Sequence, residues 1–293
     1  MDEINYKDIP LDAVVDDDEF DKIDDVPDSE FQVKQVRSKS SSFPSEYSRD
    51  IVVPVFNQGS IGSCVGCSGK VVSTDPNFKG IDLSALWLYK RAQVFDRWKG
   101  ENYSGTSIIG ACRALLQEGI CQESYYPYST RSSSKAKEGA LNDALTRRIS
   151  KFYTMNLRGN TEKIKELIQK QPLWTSFHVH DNFYDLDSDG FLKDEDGYLS
   201  STKKGGHAVA IVGWKYKEGK LYWKFQNSWG KYWGKRGFFY MSDELYRKIS
   251  KGIYYVSFTG DSSIKESFLS KLLNFPVFII QNIFKGLKAI FKF

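Results

Sequence analysis

The chain has 293 residues and a net charge of +4, and 15% of its residues are aromatic. This length suits one large domain or two lobes around one cleft. The sequence contains no basic stripe interleaved with aromatics that could stack on bases. The composition therefore argues against a nucleic-acid-binding protein.

The first residues are strongly acidic. Residues 1–30 carry thirteen Asp and Glu residues against Lys7 and Lys22, and residues 38–45 are rich in serine. Such a segment buries little apolar surface, so we predict a disordered extension over residues 1–48. Because the rest of the chain is basic, the extension could also lie on the body and cover a cleft. A folded domain is expected over residues 49–261.

Helical patterns come first along the folded part. The spacing predicts a helix that opens near Ser63 and a second one through residues 83–89, which Asp82 could cap. A third helix is predicted over residues 108–117, ending at Gly119. A fourth is predicted from Asn160-Thr161 through Leu167.

Strand patterns follow the helices. Residues 173–179, 208–214 and 221–226 are predicted strands, and Glu218-Gly219-Lys220 forms a hairpin turn between the last two. Helices in one half of a chain and strands in the other indicate an α+β fold with two segregated lobes.

The C-terminal tail, residues 262–293, has a third pattern. Apolar residues recur there at roughly helical spacing, while lysines lie on another face. Too many lysines interrupt the tail for a transmembrane span. Two interpretations stay open for residues 264–293: the segment packs on its own domain, or it docks on a membrane surface or a partner protein.

The sequence contains four cysteines: Cys64, Cys67, Cys112 and Cys121. No apolar stretch typical of a secretory signal begins the chain, so we expect a cytoplasmic protein with free thiols, peripheral to a membrane if the tail binds one.

One cysteine has distant partners of the right chemical types. Cys64 follows Gln58 and two small residues, and His207 and Asn227 lie far downstream. A helix N-terminus and a nearby imidazolium both stabilise a thiolate. The Asn227 amide can orient the imidazole, and the Gln58 amide can donate to an oxyanion together with the Cys64 N–H. This order of groups indicates nucleophilic catalysis.

At these residues the chain resembles the papain-like cysteine peptidases. The matching motifs are Gln58…Cys64, Gly206-His207-Ala208, Asn227-Ser228-Trp229-Gly230, Gly119-Ile120…Tyr126-Pro127-Tyr128 and residues 233–239. The resemblance covers about residues 50–259. It implies a helical lobe that carries the nucleophile and a strand-rich, β-barrel-like lobe that carries the imidazole and the amide. It also implies a peptide or protein substrate and no metal or other cofactor.

The resemblance assigns a role to each matching residue. Cys64 is the implied nucleophile, His207 the general acid/base, Asn227 its orienting partner and Gln58 the oxyanion donor. Trp229 would shield the His207–Asn227 hydrogen bond from water. The family also implies substrate-binding roles for three further residues: Gly105, whose backbone would pair with an extended substrate, and Ile108 and Ala208 in a side-chain pocket.

Two positions depart from the family pattern. Val65 replaces the aromatic residue that usually follows the nucleophile, and Ile61 stands where secreted members carry a disulfide cysteine. The extension also lacks the long helical pro-segment of lysosomal members. These departures favour the compact bacterial or viral branch of the family.

Other functions remain open from the sequence alone. The chain could be a catalytically silent binding or structural protein with the same fold. It could also be an amidase or transpeptidase acting on peptidoglycan peptides, since that chemistry needs the same triad.

Three local patterns suggest other sites, and each has a simpler explanation. Cys64 and Cys67 form a C-x-x-C redox pattern, but Cys67 would face the core one helical turn on. His178 and His180 could share one strand face for a metal, without a convincing third ligand. Residues 185–190 resemble the start of a calcium loop, but the final glutamate is missing, which favours an acidic hairpin.

Overall fold

Three helices form one side of the fold. In this computed structural model, which describes residues 5–15, 43–50, 53–75, 77–96, 104–130 and 134–258, they are α1 (Cys64–Thr74), α2 (Ala85–Phe95) and α3 (Ile108–Gln117). The predicted bounds of α3 are confirmed. Gly119, which ends it, has a left-handed φ of 77° that favours glycine.

Small residues let α1 pack closely on its neighbours. A Cβ on Gly66 would lie 2.3 Å from the Ala85 carbonyl oxygen, and one on Gly69 would lie 2.7 Å from the Trp174 ring. Larger side chains would push α1 away from α2 and from the sheet. The position of the α1 N-terminus, where Cys64 lies, therefore depends on these glycines.

The predicted cap of α2 is wrong. Ser84, not Asp82, caps this helix, because its hydroxyl accepts a 3.0 Å hydrogen bond from the Trp87 amide. Asp82 forms an ion pair with Lys70 instead, at 2.6 Å. Ser84 is two residues closer to the helix than Asp82, so its hydroxyl reaches the Trp87 amide in the first turn and the Asp82 carboxylate does not.

Three further helices flank the strands. They are α4 (Ala140–Leu145), α5 (Thr161–Lys170) and α6 (Asp243–Ile249). The predicted start of α5 at Asn160-Thr161 is confirmed, although the helix runs three residues past Leu167. None of the helices in the described ranges is long and apolar enough to cross a membrane.

The strands form one antiparallel sheet. Its order is β2-β7-β3-β4-β5-β6, and β1 pairs with β4 beyond this path. The bounds are β1 (Glu46–Ser48), β2 (Ile149–Met155), β3 (Leu173–His180), β4 (Lys203–Lys217), β5 (Lys220–Gln226), β6 (Phe238–Ser242) and β7 (Ile253–Phe258). The predicted α+β class is confirmed, and the turn at Glu218-Gly219 joins β4 to β5.

Strand β4 lies between two hydrophobic cores. Ala208 and Ala210 face the core of α1, α2 and α3, whereas Val209 and Ile211 face the core of the strand-rich side. Successive side chains of a strand point to opposite faces, so one strand serves both lobes. His207 therefore sits where the two lobes meet.

Two parts of the acidic extension are ordered, which departs from the predicted disorder over residues 1–48. Residues 46–48 form β1, where Tyr47 stacks on Trp214 with ring centroids 4.8 Å apart. Residues 5–15 lie in the cleft between the lobes, with Ala13 and Val15 buried. These segments are ordered because they contain apolar side chains that become buried, although the overall composition of the extension is acidic. Predictions for residues 1–4, 16–42 and 262–293 lie outside the described residues.

Candidate active site

Cys64 is the first residue of α1 and is fully buried. Ser63 occupies the N-cap, but its hydroxyl does not cap the helix; it hydrogen-bonds Tyr128 at 2.5 Å. Within the first turn of α1, the Val65 amide hydrogen-bonds the Cys64 sulfur. The partial positive charge of this helix end favours a thiolate.

His207 and Asn227 form a hydrogen-bonded pair on the opposite lobe. His207 lies on β4 and Asn227 directly follows β5, and the pairing of these strands brings them together. The His207 Nε2 and Asn227 Oδ1 atoms are 2.7 Å apart. The Ser228 amide also donates to Asn227 Oδ1 at 2.8 Å, which fixes the amide's orientation. The imidazole therefore has one defined rotation.

The other ring nitrogen of His207, Nδ1, is not engaged by Asn227. Nδ1 is buried and has no hydrogen-bond partner among the described residues. The neighbouring amide of Ala208 hydrogen-bonds the Cys64 sulfur, so α1 and β4 meet at these residues. A buried polar atom without a partner is costly, so its presence here points to use in a reaction.

Aromatic rings enclose the imidazole. The centroids of the Trp229 and His207 rings are 4.8 Å apart, and the Tyr184 ring stacks on Trp229 with centroids 5.6 Å apart. Phe177 and Phe183 close two more sides. These rings place Trp229 where it can keep water from the His207–Asn227 bond.

Gln58 is held between the lobes by several hydrogen bonds. Its Oε1 accepts from the Ser228 hydroxyl at 2.7 Å, and its backbone carbonyl accepts from the Tyr128 hydroxyl at 2.7 Å. Its Nε2 donates to Ile61 at 2.9 Å and to the Pro10 carbonyl at 3.3 Å. The Gln58 amide therefore already binds a carbonyl oxygen in the cleft.

That carbonyl belongs to residues 5–15, which we call the cleft strap. The strap runs parallel to both walls of the cleft. On one wall the Ala13 amide donates to Gly206 at 3.0 Å. On the other, the Val14 amide donates to the Thr106 carbonyl at 3.3 Å, and the Thr106 amide to the Asp12 carbonyl at 3.2 Å. An extended peptide thus pairs with both walls at once.

Glycines permit this close approach. A Cβ on Gly105 would lie 1.7 Å from the Asp12 carbonyl oxygen, and one on Gly206 would lie 1.8 Å from that of Ala13. The hydrogen bonds themselves are made by Thr106, one residue beyond the predicted Gly105. Ile108 and Ala208 lie with Cys64 and Ala13 in one buried hydrophobic cluster, and their part in a side-chain pocket stays a prediction.

Burial sets the charge of the reacting groups. It raises the pKa of the Cys64 thiol to about 11, and the charge of nearby Asp12 adds to the increase, while backbone hydrogen bonds oppose it. Burial also lowers the pKa of His207 to about 4, against the opposing hydrogen bond to Asn227. With the strap in place, the pair is therefore a neutral thiol beside a neutral imidazole at pH 7.

The other sites considered in the sequence have ordinary partners. The Cys67 sulfur lies 3.6 Å from the Ser63 hydroxyl, and His180 Nδ1 lies 2.9 Å from the Ser201 carbonyl oxygen. In the acidic hairpin, Asp187 caps its own turn and Lys235 pairs with Asp189 at 3.1 Å. Across the described ranges, no group of three or more His, Cys, Asp or Glu is arranged for a metal.

The sequence leaves open that the acidic extension covers a cleft, but it does not identify residues 5–15 as the segment that pairs with both cleft walls. The signal for this segment is a short alternation of apolar residues, Ile9, Leu11, Ala13 and Val15, within the acidic extension. Alternation with a period of two indicates an extended segment with one buried face. Ser228 is a second functional residue without a predicted role. It lies in the Asn227-Ser228-Trp229-Gly230 motif, and its hydroxyl donates to Gln58.

The fold and the site together define a class: a two-lobed α+β protein with a cysteine, histidine and asparagine at the lobe boundary. The model of the papain family of cysteine proteases matches residues 41–256. The chain belongs to this family. Membership in the compact bacterial or viral branch stays a prediction.

Individual relatives agree with this assignment. The chain is 37% identical over 193 residues to a gut-specific cysteine proteinase of Caenorhabditis elegans, covering 64% of this chain and 52% of that protein. It is 27% identical over 206 residues to peptidase 1 of Psoroptes ovis, covering 68% and 60%. The chain therefore spans about 60% of the length of the first curated relatives it matches.

Solved structures show the same fold. Xylellain, a cysteine protease from Xylella fastidiosa, superposes with a TM-score of 0.68 at 18% identity, covering 88% of this chain and 99% of that one. The proCathepsin B S9 structure from Trypanosoma congolense gives 0.63 at 17% identity, covering 86% and 87%.

Proposed function

We propose that the chain is a cysteine peptidase that hydrolyses peptide bonds through a thioester intermediate. The observation that carries this proposal is the His207–Asn227 pair, whose remaining ring nitrogen is buried without a partner at the junction with Cys64. A base held by a third group beside a thiol is the arrangement that activates a nucleophile.

The reaction follows from these positions. His207 takes the Cys64 proton, and the thiolate attacks the substrate carbonyl carbon. The Gln58 amide and the Cys64 N–H stabilise the negative oxygen of the tetrahedral intermediate. His207 then protonates the departing amine, which leaves an acyl group on sulfur. A water molecule, deprotonated by His207, hydrolyses the thioester and frees the carboxylate product and the thiol.

The substrate in this proposal is an extended peptide or protein segment. The strap supports this proposal, since its extended backbone pairs with Thr106 and with Gly206. Backbone pairing accepts many sequences, so selectivity falls to the side-chain pockets near Ile108 and Ala208.

We further propose that the strap keeps the enzyme latent. The Asp12 amide N–H hydrogen-bonds the Cys64 sulfur, so the thiol meets a donor instead of a carbonyl carbon. The buried thiol and imidazole are also neutral, which removes the reactive ion pair. Activation then requires the strap to leave the cleft.

The test uses full-length chains in which the strap is displaced. In the Ala13→Arg chain, a long charged side chain replaces a buried methyl group, and we expect the strap to leave the cleft. This chain should cleave a peptide library and react with a thiol-directed epoxide. Adding Cys64→Ala should abolish both reactions while the circular dichroism spectrum stays the same.

Other results would redirect the proposal. Folded Ala13→Arg protein that neither cleaves peptides nor reacts with the epoxide would support the catalytically silent binding protein. Cleavage confined to peptidoglycan peptides, or transfer of the acyl group to an amine instead of water, would support the amidase or transpeptidase.

A further inference from the structure

One face of α2 holds the helical wall of the cleft. Tyr89, Gln93 and Asp96, the last being the C-cap residue, are spaced four and three residues apart, so they project from the same side of the helix. All three hydrogen-bond residues 104–107. We call these three side chains the α2 clamp and residues 104–107 the helical wall.

Asp96 is the most heavily bonded member of the clamp. Its carboxylate accepts hydrogen bonds from the Thr106 hydroxyl, from the Ser107 amide at 3.1 Å and from the Ser107 hydroxyl at 2.5 Å. The residue is 7% exposed. A buried carboxylate with this many donors locks the groups that donate to it, because leaving any donor unpaired is costly.

The chain also makes room for this carboxylate. A Cβ on Gly110, in the first turn of α3, would lie 2.6 Å from Asp96 Oδ1. The negative charge thus lies close to the N-terminus of a ten-residue helix, where it is favoured. Asp96 therefore ties the end of α2 to the start of α3 through the helical wall.

Tyr89 and Gln93 hold the preceding residues. The Tyr89 hydroxyl donates to the Ser104 carbonyl, and Gln93 Nε2 donates to the carbonyls of Ser104 and Gly105, both at 3.2 Å. The clamp therefore binds every residue of the helical wall. It does so with side chains, not with the backbone ladder of a sheet.

The clamped segment is the one that pairs with a peptide in the cleft. Thr106 donates to Asp12 and accepts from Val14 through its backbone, while its hydroxyl is bound to Asp96. The same residue thus faces the cleft with its main chain and the clamp with its side chain. A shift of the Thr106 hydroxyl would also move the Thr106 N–H and carbonyl groups that hydrogen-bond the peptide.

We propose that Asp96, supported by Tyr89 and Gln93, is a positioning residue that fixes the Thr106 backbone for extended peptide substrates. This inference rests on the proposed peptidase activity. Asp96 touches neither the substrate nor the reacting atoms. Its effect therefore falls on substrates long enough to pair with Thr106, and short ones that reach only Cys64 are unaffected.

The kinetic test compares two substrates of the full-length Ala13→Arg chain. One is a tetrapeptide amide that spans the helical wall, and the other is an ester of a single acylated residue. Adding Asp96→Asn should lower kcat/KM for the tetrapeptide about tenfold and change that for the ester by less than about twofold. Equal losses on both substrates, or none on either, would overturn the inference.

A matched control separates positioning from a general loss of stability. Asp143 is another carboxylate with several partners, accepting from the Gln122 amide at 2.8 Å and from Arg147, but it serves α4 instead of the cleft. Asp143→Asn should leave the ratio of the two kcat/KM values unchanged. Thr106→Val removes only the hydroxyl bond to Asp96, and so it gives the same selective loss if Asp96→Asn fails to fold.

A second readout does not depend on activity. In the full-length chain with its strap in place, Asp96→Asn should speed hydrogen exchange of the Thr106 and Val14 amides at least about tenfold relative to Asp143→Asn. Equal exchange in the two variants would contradict the clamp. If the Ala13→Arg chain cleaves nothing, the proposed function fails, and the exchange experiment still decides the positioning role.

Discussion

The two walls of the cleft are built by different means. On the sheet wall, residues 205–208 belong to β4, whose other edge pairs with β3 through Phe177↔His207 and Ser176↔Ala208. On the helical wall, residues 104–107 are held by the α2 clamp. A backbone ladder fixes the first wall in one register, whereas three side chains position the second. One wall is thus rigid by topology and the other can be adjusted by single substitutions.

The largest expected effect is on the free energy of unfolding, which Cys64 on the helical side and His207 on the sheet side should lower at opposite ends of the pH range. Folded His207 has a pKa of about 4, below its usual 6.5, so stability is present above pH 6.5 and decreases as the pH falls toward 4. Folded Cys64 has a pKa of about 11 instead of 9, so stability is present below pH 9 and decreases as the pH rises toward 11. Each loss is on the order of 3 kcal/mol.

Denaturant titrations across pH measure both losses. The His207→Gln chain should lack most of the decrease in unfolding free energy between pH 6.5 and 4. The Cys64→Ala chain should lack only the Cys64 share of the alkaline decrease, because burial also raises the thiol pKa of Cys67, Cys112 and Cys121. The difference between each variant and the unsubstituted chain isolates the one group from other titrating residues. Identical pH profiles in all three chains would show that these two groups are not buried as described.

The next effect concerns the strap that bridges both walls. The Ala13→Arg chain exposes Cys64 and removes the nearby Asp12 charge, so the thiol pKa should fall back from about 11 toward 9. At pH 7 this raises the thiolate fraction, and the rate of Cys64 alkylation by iodoacetamide, about 100-fold. Peptide mapping by mass spectrometry follows Cys64 separately from the other thiols.

Asn5→Arg is the control for this experiment. Asn5 is exposed at the start of the strap, so the same new side chain there should leave the strap seated and the alkylation rate unchanged. Equal acceleration in both variants would mean that added positive charge, not strap release, activates the thiol.

The smallest effect compares the walls directly. In the Ala13→Arg chain, Gly206→Ala and Gly105→Ala each add a methyl group where the peptide backbone approaches. The sheet wall cannot retreat from the peptide, because β3 lies behind it, while the clamped wall can shift by stretching side-chain hydrogen bonds. We expect Gly206→Ala to lower kcat/KM for a tetrapeptide amide about tenfold more than Gly105→Ala.

The single-residue ester serves as the reference substrate for both glycine variants. It reports any direct disturbance of His207, which is adjacent to Gly206. Equal losses on the tetrapeptide, after correction with the ester, would show that the two walls are equally rigid.

Local sequence motifs were enough to predict four residues of the candidate site. Gln58, Cys64, His207 and Asn227 each lie in a short motif whose residue types match a chemical role, and the structure brings them together at the lobe boundary. The starts of α1 and α5 and the bounds of α3 are likewise determined by neighbours in sequence.

The remainder depends on contacts between distant residues. Asp96 is a single carboxylate near the end of a helix, and nothing adjacent to it in sequence shows that it will meet Ser107. The strap combines a brief apolar alternation with a strongly acidic surrounding, and the average composition hides the alternation. Asp82 and Ser84 both have side chains that can cap a helix, and the start of α2 at Ala85 makes Ser84 the cap.

Strand β4 has a consequence for how the molecule loses its structure. Its alternate side chains complete both hydrophobic cores, so neither core can melt without exposing the apolar face of the other. The two lobes should therefore unfold in one cooperative transition. Heating would then separate the thiol from its imidazole at the same temperature at which the whole domain denatures, with no half-folded form that keeps one lobe intact.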